Sequence, residues 1–252
     1  MNFLLILMSI ISLNREISFT ITYNNIPHDT ALKTSWGMSC YIEGFEKNIL
    51  FDTGGDGEIL LYNMKKLDIE PDSIDIIVLS HIHGDHTEGI WELLKINPAV
   101  TVYLPSSFPK GFKHKVTSTG AKIIEVSKPS KICKDVWTTG ELGRFIKEQA
   151  LVLDTKKGTV VVTGCAHPEI VNIVKKAEEM MHRDKTYLAL GGFHLMAYRK
   201  SGIKEIIKGL KNCKVEKIVP SHCTGGEAIE LFRKAWGDDF IDMGCGKRVF
   251  IK

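Results

Sequence analysis

Short β-branched runs alternate along this chain with stretches whose apolar residues recur every three or four positions. "ISFTITYN" (17–24) alternates with period two and predicts a strand. "MSCYIEG" and "NILFDTGG" predict two more, joined by a turn at Gly44–Asn48. "GEILLYNMKKLDI" has helical spacing and predicts a helix after the Gly-rich turn. "IDIIVLS" (74–80) is continuously apolar, as a strand covered on both faces must be. "TEGIWELLKI" predicts a helix with Thr87 as its cap. "AVTVYLP", "AKIIEVS" and "KICKDVWTTG" predict strands, and "EQALVLDTKKGTVVVTG" a hairpin turning at Lys156–Gly158. "EIVNIVKKAEEMMH" predicts a helix opened by Pro168. "TYLALGG" and "VEKIVPSHC" then predict strands, "GIKEIIKGLKN" and "GEAIELFRKAW" helices, and "DDFIDMG" and "KRVFIK" close the chain. A strand-rich first half followed by alternating strand and helix fits two mixed sheets with helices outside.

Histidines punctuate this pattern. They fall at the C-terminal ends of short apolar strands: His81, His83 and His86, then His167, His194 and His222. In "VLSHIHGDHTEG" (78–89) three imidazoles and Asp85 share six positions. Such crowding on a turn predicts a metal site, because neutral imidazole suits zinc and Asp adds a harder ligand. His81 and His83 can share one ion while Asp85 and His86 turn to a second, and His167 and His222 are placed to complete them. His28, His114 and His182 lie in polar stretches and are expected on the surface.

Composition changes this picture little. The chain has 252 residues, 44% apolar and 25% charged, with a net charge of +3, too mild to argue for nucleic acid. No linker, repeat or low-complexity run divides it, so one domain over 17–252 is expected. The six cysteines form no C-x-x-C pair and are expected as reduced, buried thiols. Cys165 and Cys223 adjoin histidines, and strand alternation is taken to turn them away from the site. "DTGGDG" lacks the Lys-Ser/Thr of a phosphate loop. Trp36, Phe193 and Tyr198 are candidates to line a pocket for a flat ring. The apolar segment 1–16 is too short to span a membrane and lacks a basic start and a cleavage site. The cytoplasm is favoured, with export or membrane contact open through residues 1–13.

"ILFDTG", "LSHIHGDHTEG", "TGCAHP" and "PSHCTGG" together resemble the successive motifs of the metallo-β-lactamase fold superfamily. The nearest likeness, through "EQALVLDTKKGTVVVTGCAHPEIVNIVKKA", "LALGGFHL" and "SHCTG", is to its branch typified by dihydropterin-methyl-ribofuranosylaminobenzene-phosphate synthase. The resemblance implies an α+β, four-layer αββα sandwich with a dinuclear metal site. It implies His81, His83 and His167 on a first metal, Asp85, His86 and His222 on a second, and Asp52 bracing the turn by hydrogen bonds. Many members carry a bridging aspartate between the third and last motifs. Here that interval holds only Asp184, before a strand, whereas His194 follows the strand, so His194 is expected as a ligand or proton donor.

The expected function is a zinc-dependent hydrolase, with one or two Zn2+ per chain and Mn2+ or Fe2+ as alternatives, in which activated water attacks a small anionic ester. Asp85 and His194 are the expected catalytic groups. A site short of one carboxylate stays positive, which favours an anionic substrate. The alternatives are a transferase of pterin cofactor synthesis, which the nearest resemblance implies, and a non-catalytic metal-binding sensor. A nuclease is disfavoured by the weak charge. The iron redox branch carries a carboxylate where this chain has His83.

Overall fold

The computed structural model describes residues 16–251, so the apolar N-terminal segment lies outside the described residues. Among the described residues, thirteen strands form two mixed sheets. The first contains β1 (Ile17–Asn24), β2 (Met38–Glu43), β3 (Ile49–Phe51), β4 (Ile76–Val78), β5 (Thr101–Pro105), β6 (Lys122–Val126) and β13 (Arg248–Ile251), in the order β13-β1-β2-β3-β4-β5-β6. The second contains β7 (Ser130–Cys133), β8 (Val136–Thr138), β9 (Leu151–Thr155), β10 (Gly158–Thr163), β11 (Thr186–Gly192) and β12 (Lys217–Ser221), in the order β12-β11-β10-β9-β8-β7. Helices α1 (Gly57–Lys66), α2 (Gly84–Thr87), α3 (Ile90–Ile96) and α4 (Lys110–Thr117) follow strands of the first sheet, and α5 (Ile170–Met181), α6 (Lys200–Asn212) and α7 (Gly226–Trp236) belong to the second.

Strand period two explains the layering. Ile49 and Phe51, Ile76 and Val78, Val160 and Val162, and Leu188 and Leu190 share one core between the sheets. The residues between them face outward onto helices. Leu50 and Ile77 meet Leu60, Met64, Leu93 and Leu94 of α1 and α3. Val161 and Ala189 meet Ile173, Val174, Ile206 and Phe232 of α5, α6 and α7. Each central strand is thus apolar throughout because both faces are covered, and the architecture is the αββα sandwich expected.

Several local expectations are corrected. The 78–89 turn enters α2 at Gly84, so Thr87 closes that helix, its hydroxyl donating to His83 O at 3.1 Å, and caps nothing. Helix α5 starts at Ile170, with Pro168 two residues ahead of it. "KICKDVWTTG" is a tight hairpin of β7 and β8. Helix α4 has no counterpart among the expected elements: Val116 is its one buried residue, so it offers almost no apolar stripe to detect.

Parallel pairing aims chain ends at one place. β3 runs parallel to β4, and β10, β11 and β12 run parallel to each other. Their C-terminal ends lead into Asp52, into Ser80 and His81, into Cys165, towards His194, and into His222. Polar ties join the sheets there. Gln149 donates its side-chain amide to Leu79 O at 2.8 Å, and Asn24 donates to Ser221 Oγ at 2.9 Å.

Candidate metal centre

Six of the nine histidines converge at this edge, while His28, His114 and His182 are exposed. The rings of His81, His83 and His167 form a nearly equilateral triangle, with centroids 4.7, 4.8 and 4.9 Å apart. Beside it, Asp85 Oδ2 lies 3.2 Å from His222 Nε2 and 3.6 Å from His86 Nε2, and those two nitrogens are 3.3 Å apart. A tetrahedral ion with bonds of about 2.0–2.1 Å needs donor atoms about 3.3–3.4 Å apart. The structure therefore gathers the two triads named from sequence.

Hydrogen bonds fix which nitrogen each ring presents. His86 Nδ1 donates to Asp52 Oδ2 at 2.7 Å, and His222 Nδ1 donates to Asn25 Oδ1 at 2.7 Å. His81 Nδ1 lies 2.9 Å from Ser80 Oγ, whose own proton goes to Asp52 Oδ2 at 2.7 Å, so His81 must donate to Ser80. Asp52 Oδ1 accepts the Ser80 amide at 2.7 Å. One fully buried carboxylate thus orients rings of both triads. The network leaves the Nε2 lone pairs of His81, His86 and His222 facing inward. His167 Nε2 is buried with no hydrogen-bond partner. Nitrogen and carboxylate lone pairs pointed at one another repel unless a cation or a proton lies between them, and this donor set fits a divalent metal.

Backbone geometry is special at the same places. Asp52, Ala166, His194 and His222 have φ of 57°, 56°, 53° and 51°, in the left-handed region that non-glycine residues rarely visit. Such conformations cluster at functional sites. The 165–167 turn is pinned by Glu148, whose buried carboxylate accepts the amides of Cys165, Ala166 and His167 at 3.0, 2.8 and 2.8 Å. Gly164 permits the approach: a Cβ there would lie 2.1 Å from Ser80 Oγ and 2.8 Å from Asp52 Oδ2. Gly164→Ala is accordingly expected to lower thermal stability and to weaken metal uptake together, whereas Gly111→Ala, with nothing within 4 Å, leaves both unchanged.

Charge states follow from burial and neighbours. Burial, then the surrounding histidines, hold His81 well below the ordinary imidazole value and His167 down to about 4. Burial also lowers His83. For His86 burial works the same way, but Asp52 and Asp85 outweigh it and raise the ring to about 9. Burial would raise Asp85, yet His222 and His86 bring it down to about 2. Burial lifts Glu148 to about 7 despite its three amide donors. The hydrogen bond from Cys165 pulls Cys223 down to about 5 against burial, with His194 adding to the pull, and the same bond raises Cys165.

His194 is exposed at the lip, its ring 4.3 Å from His167, and its hydrogen bond with Cys223 raises it. Asp184 sits at the far end of β11, paired with Lys214 in solvent, and contributes nothing here. Two thiols do not turn away as strand alternation led us to expect. Cys165 Sγ is 3.2 Å from His86 Nε2, and the Cys223 thiol faces the Cys165 carbonyl oxygen at 3.8 Å. All six cysteines are reduced, Cys133 alone being less than fully buried. Trp36 is half-exposed with its ring 4.8 Å from His222, and Tyr198 is also half-exposed, but Phe193 packs in the core against Phe232. Sequence reasoning missed Asn25, Ser80 and Glu148. Glu148–Gln149, two polar residues just ahead of the apolar start of β9, was the available signal.

The fold and the histidine-lined edge define the class. The model of the metallo-β-lactamase superfamily matches residues 37–222, and the chain belongs to that superfamily. It is 31% identical to the 7,8-dihydropterin-6-methyl-4-(β-D-ribofuranosyl)-aminobenzene-5'-phosphate synthase of Methanocaldococcus jannaschii, over 91% of this chain and 94% of that protein. An uncharacterized protein of the same organism is 29% identical over 85% of this chain and 93% of that one. A solved metal-dependent hydrolase of the β-lactamase superfamily shares the fold with a TM-score of 0.80 and 24% identity, covering 93% of this chain and 99% of that one. No helix among the described residues is long and apolar enough to cross a membrane.

Proposed function

We propose that this chain is a metal-dependent hydrolase that cleaves small anionic esters, phosphate or carboxylic, at the clustered histidines. The observation that supports it most is the inward-facing triad of His86 Nε2, His222 Nε2 and Asp85 Oδ2, with both imidazole Nδ1 protons already committed elsewhere. His81, His83 and His167 would hold a first ion, and Asp85, His86 and His222 a second. Zinc suits these donors, with Mn2+ or Fe2+ as alternatives, and when bound it would supply water acidic enough to be a nucleophile near neutral pH.

The chain's own residues do the rest. Asp52, Ser80 and Asn25 hold the rings in one tautomer, so no reorganisation is needed when substrate arrives. Asp85, half-buried in the second triad, orients the attacking water. His194, exposed at the lip and raised towards its charged form by Cys223, donates a proton to the departing oxygen. A donor set with few anions leaves net positive charge, which attracts an anionic substrate. Trp36, half-exposed beside His222, offers an aromatic face to it.

The full-length likeness to a synthase whose named product carries a pterin, an aminobenzene and a phosphate supports a second reading: a transferase forming a carbon–nitrogen bond on a similar anionic aromatic substrate. Assays on the metal-loaded chain separate the two. Turnover of phosphodiesters or lactones without any pterin, abolished by His222→Ala, is the result expected of the hydrolase. Turnover only when a pterin and an arylamine phosphate are supplied together favours the transferase. A loaded chain inert to both panels indicates a metal-binding sensor.

A further inference from the structure

Resting on the metal-dependent reading above, we propose that Cys165 is a ligand common to both ions, its thiolate bridging the two triads. Cys165 Sγ belongs to one group with His81 and His167 and to another with His86 and His222, and in each group the ligand atoms all lie within 4.8 Å of one another. No other side chain is in both groups. The sulfur is 3.2 Å from His86 Nε2, and the residue is 3% exposed.

This position is built. Glu148 takes the amides of Cys165, Ala166 and His167, so the backbone that carries the thiol is held by three hydrogen bonds. Gly192 clears space behind it, since a Cβ there would lie 2.7 Å from Cys223 Sγ and 3.4 Å from the Cys165 Cα. The bridging carboxylate looked for in the sequence is absent from the site, because Asp184 lies at the opposite end of β11. Cys165 supplies an anion at the corner the two triads share.

Coordination deprotonates the Cys165 thiol, because a cation on sulfur strips its proton outright. The S–H bond breaks, its proton leaves to solvent, and the sulfur gives one lone pair to each ion, with no change of oxidation state. Two divalent ions then face two protein anions, Asp85 and Cys165, and the centre remains cationic for an anionic substrate. A soft ligand in this place also favours zinc or iron over manganese or magnesium.

Cobalt titration of the stripped full-length protein tests this without any substrate. The wild type is expected to take up two Co2+ and to develop the near-ultraviolet band of thiolate-to-cobalt charge transfer. Cys165→Ala is expected to lose the band and one of the two ions. Cys165→Asp, which restores an anion without sulfur, is expected to hold two ions and show no band. Cys223→Ser is expected to keep both ions and the band. Two cobalt ions bound to the wild type without the band, or a band surviving in Cys165→Ala, overturns the bridging assignment alone. A wild type that takes up no cobalt overturns the metal-dependent reading and this inference with it.

Discussion

Replacing Asp52 by asparagine is expected to cost about 3–5 kcal/mol of stability and to weaken metal binding roughly 10- to 100-fold. Asp52 is fully buried, and its two oxygens accept from the Ser80 amide, the Ser80 hydroxyl and His86 Nδ1. An amide has one acceptor atom for these three donors and turns its own N–H groups against the rest. It also removes the counter-charge that keeps the buried His86 ring protonated. Removing one partner of a buried ion pair is far more damaging than never having built the pair. Because Ser80 passes the interaction on to His81, both triads lose a fixed ring. Urea denaturation of the stripped protein measures the first effect and a competitive chelator titration the second. A variant with wild-type stability would show that Asp52 is an ordinary turn residue.

What could be read in the sequence, and what could not, divides along a physical line. His81, His83, Asp85 and His86 were legible because four ligating groups in six positions leave little freedom about where they meet. The central strands were legible because Val160–Val162 and Leu188–Leu190 are apolar on both faces. The thiols were misjudged because both turns leave the strand: Ala166, between Cys165 and His167, and His222, before Cys223, have φ of 56° and 51°, which breaks the alternation. Asn25 acts through a single hydrogen bond formed only when distant segments meet, across 197 residues from His222, and nothing local marks it. Glu148 takes three amides 17 to 19 residues further on, and only its polarity ahead of an apolar strand hinted at it. Helix α4 was invisible for the opposite reason: an element with one buried residue has no period to read.

The stripped protein should lose stability as pH rises from about 6.5 to about 9, and metal should abolish that loss. Without an ion, a proton on His86 Nε2 is what reconciles the facing acceptors, with Cys165 Sγ at 3.2 Å, His222 Nε2 at 3.3 Å and Asp85 Oδ2 at 3.6 Å around it. The folded-state value near 9 lies above that of an unfolded histidine. The stabilisation is therefore complete below the unfolded value and disappears as pH climbs through the folded one. The span corresponds to about 3 kcal/mol. Glu148, raised by burial to about 7, acts in the same direction: its contribution is full at acid pH and fades as pH rises towards 7. His167, lowered by burial and its neighbours to about 4, acts oppositely, losing stability as pH falls from the ordinary histidine range towards 4. The stripped protein is thus most stable near the middle of these limits. An ion takes the place of the His86 proton, so loading near neutral pH releases that proton, measurable in weakly buffered solution, and removes the alkaline decline. Asp52→Asn should remove the decline in the stripped protein too, since the carboxylate is what holds the ring charged. Denaturation midpoints taken across this range, with and without metal, check both statements. An alkaline limb equally steep in the loaded protein would mean that no ion sits at His86.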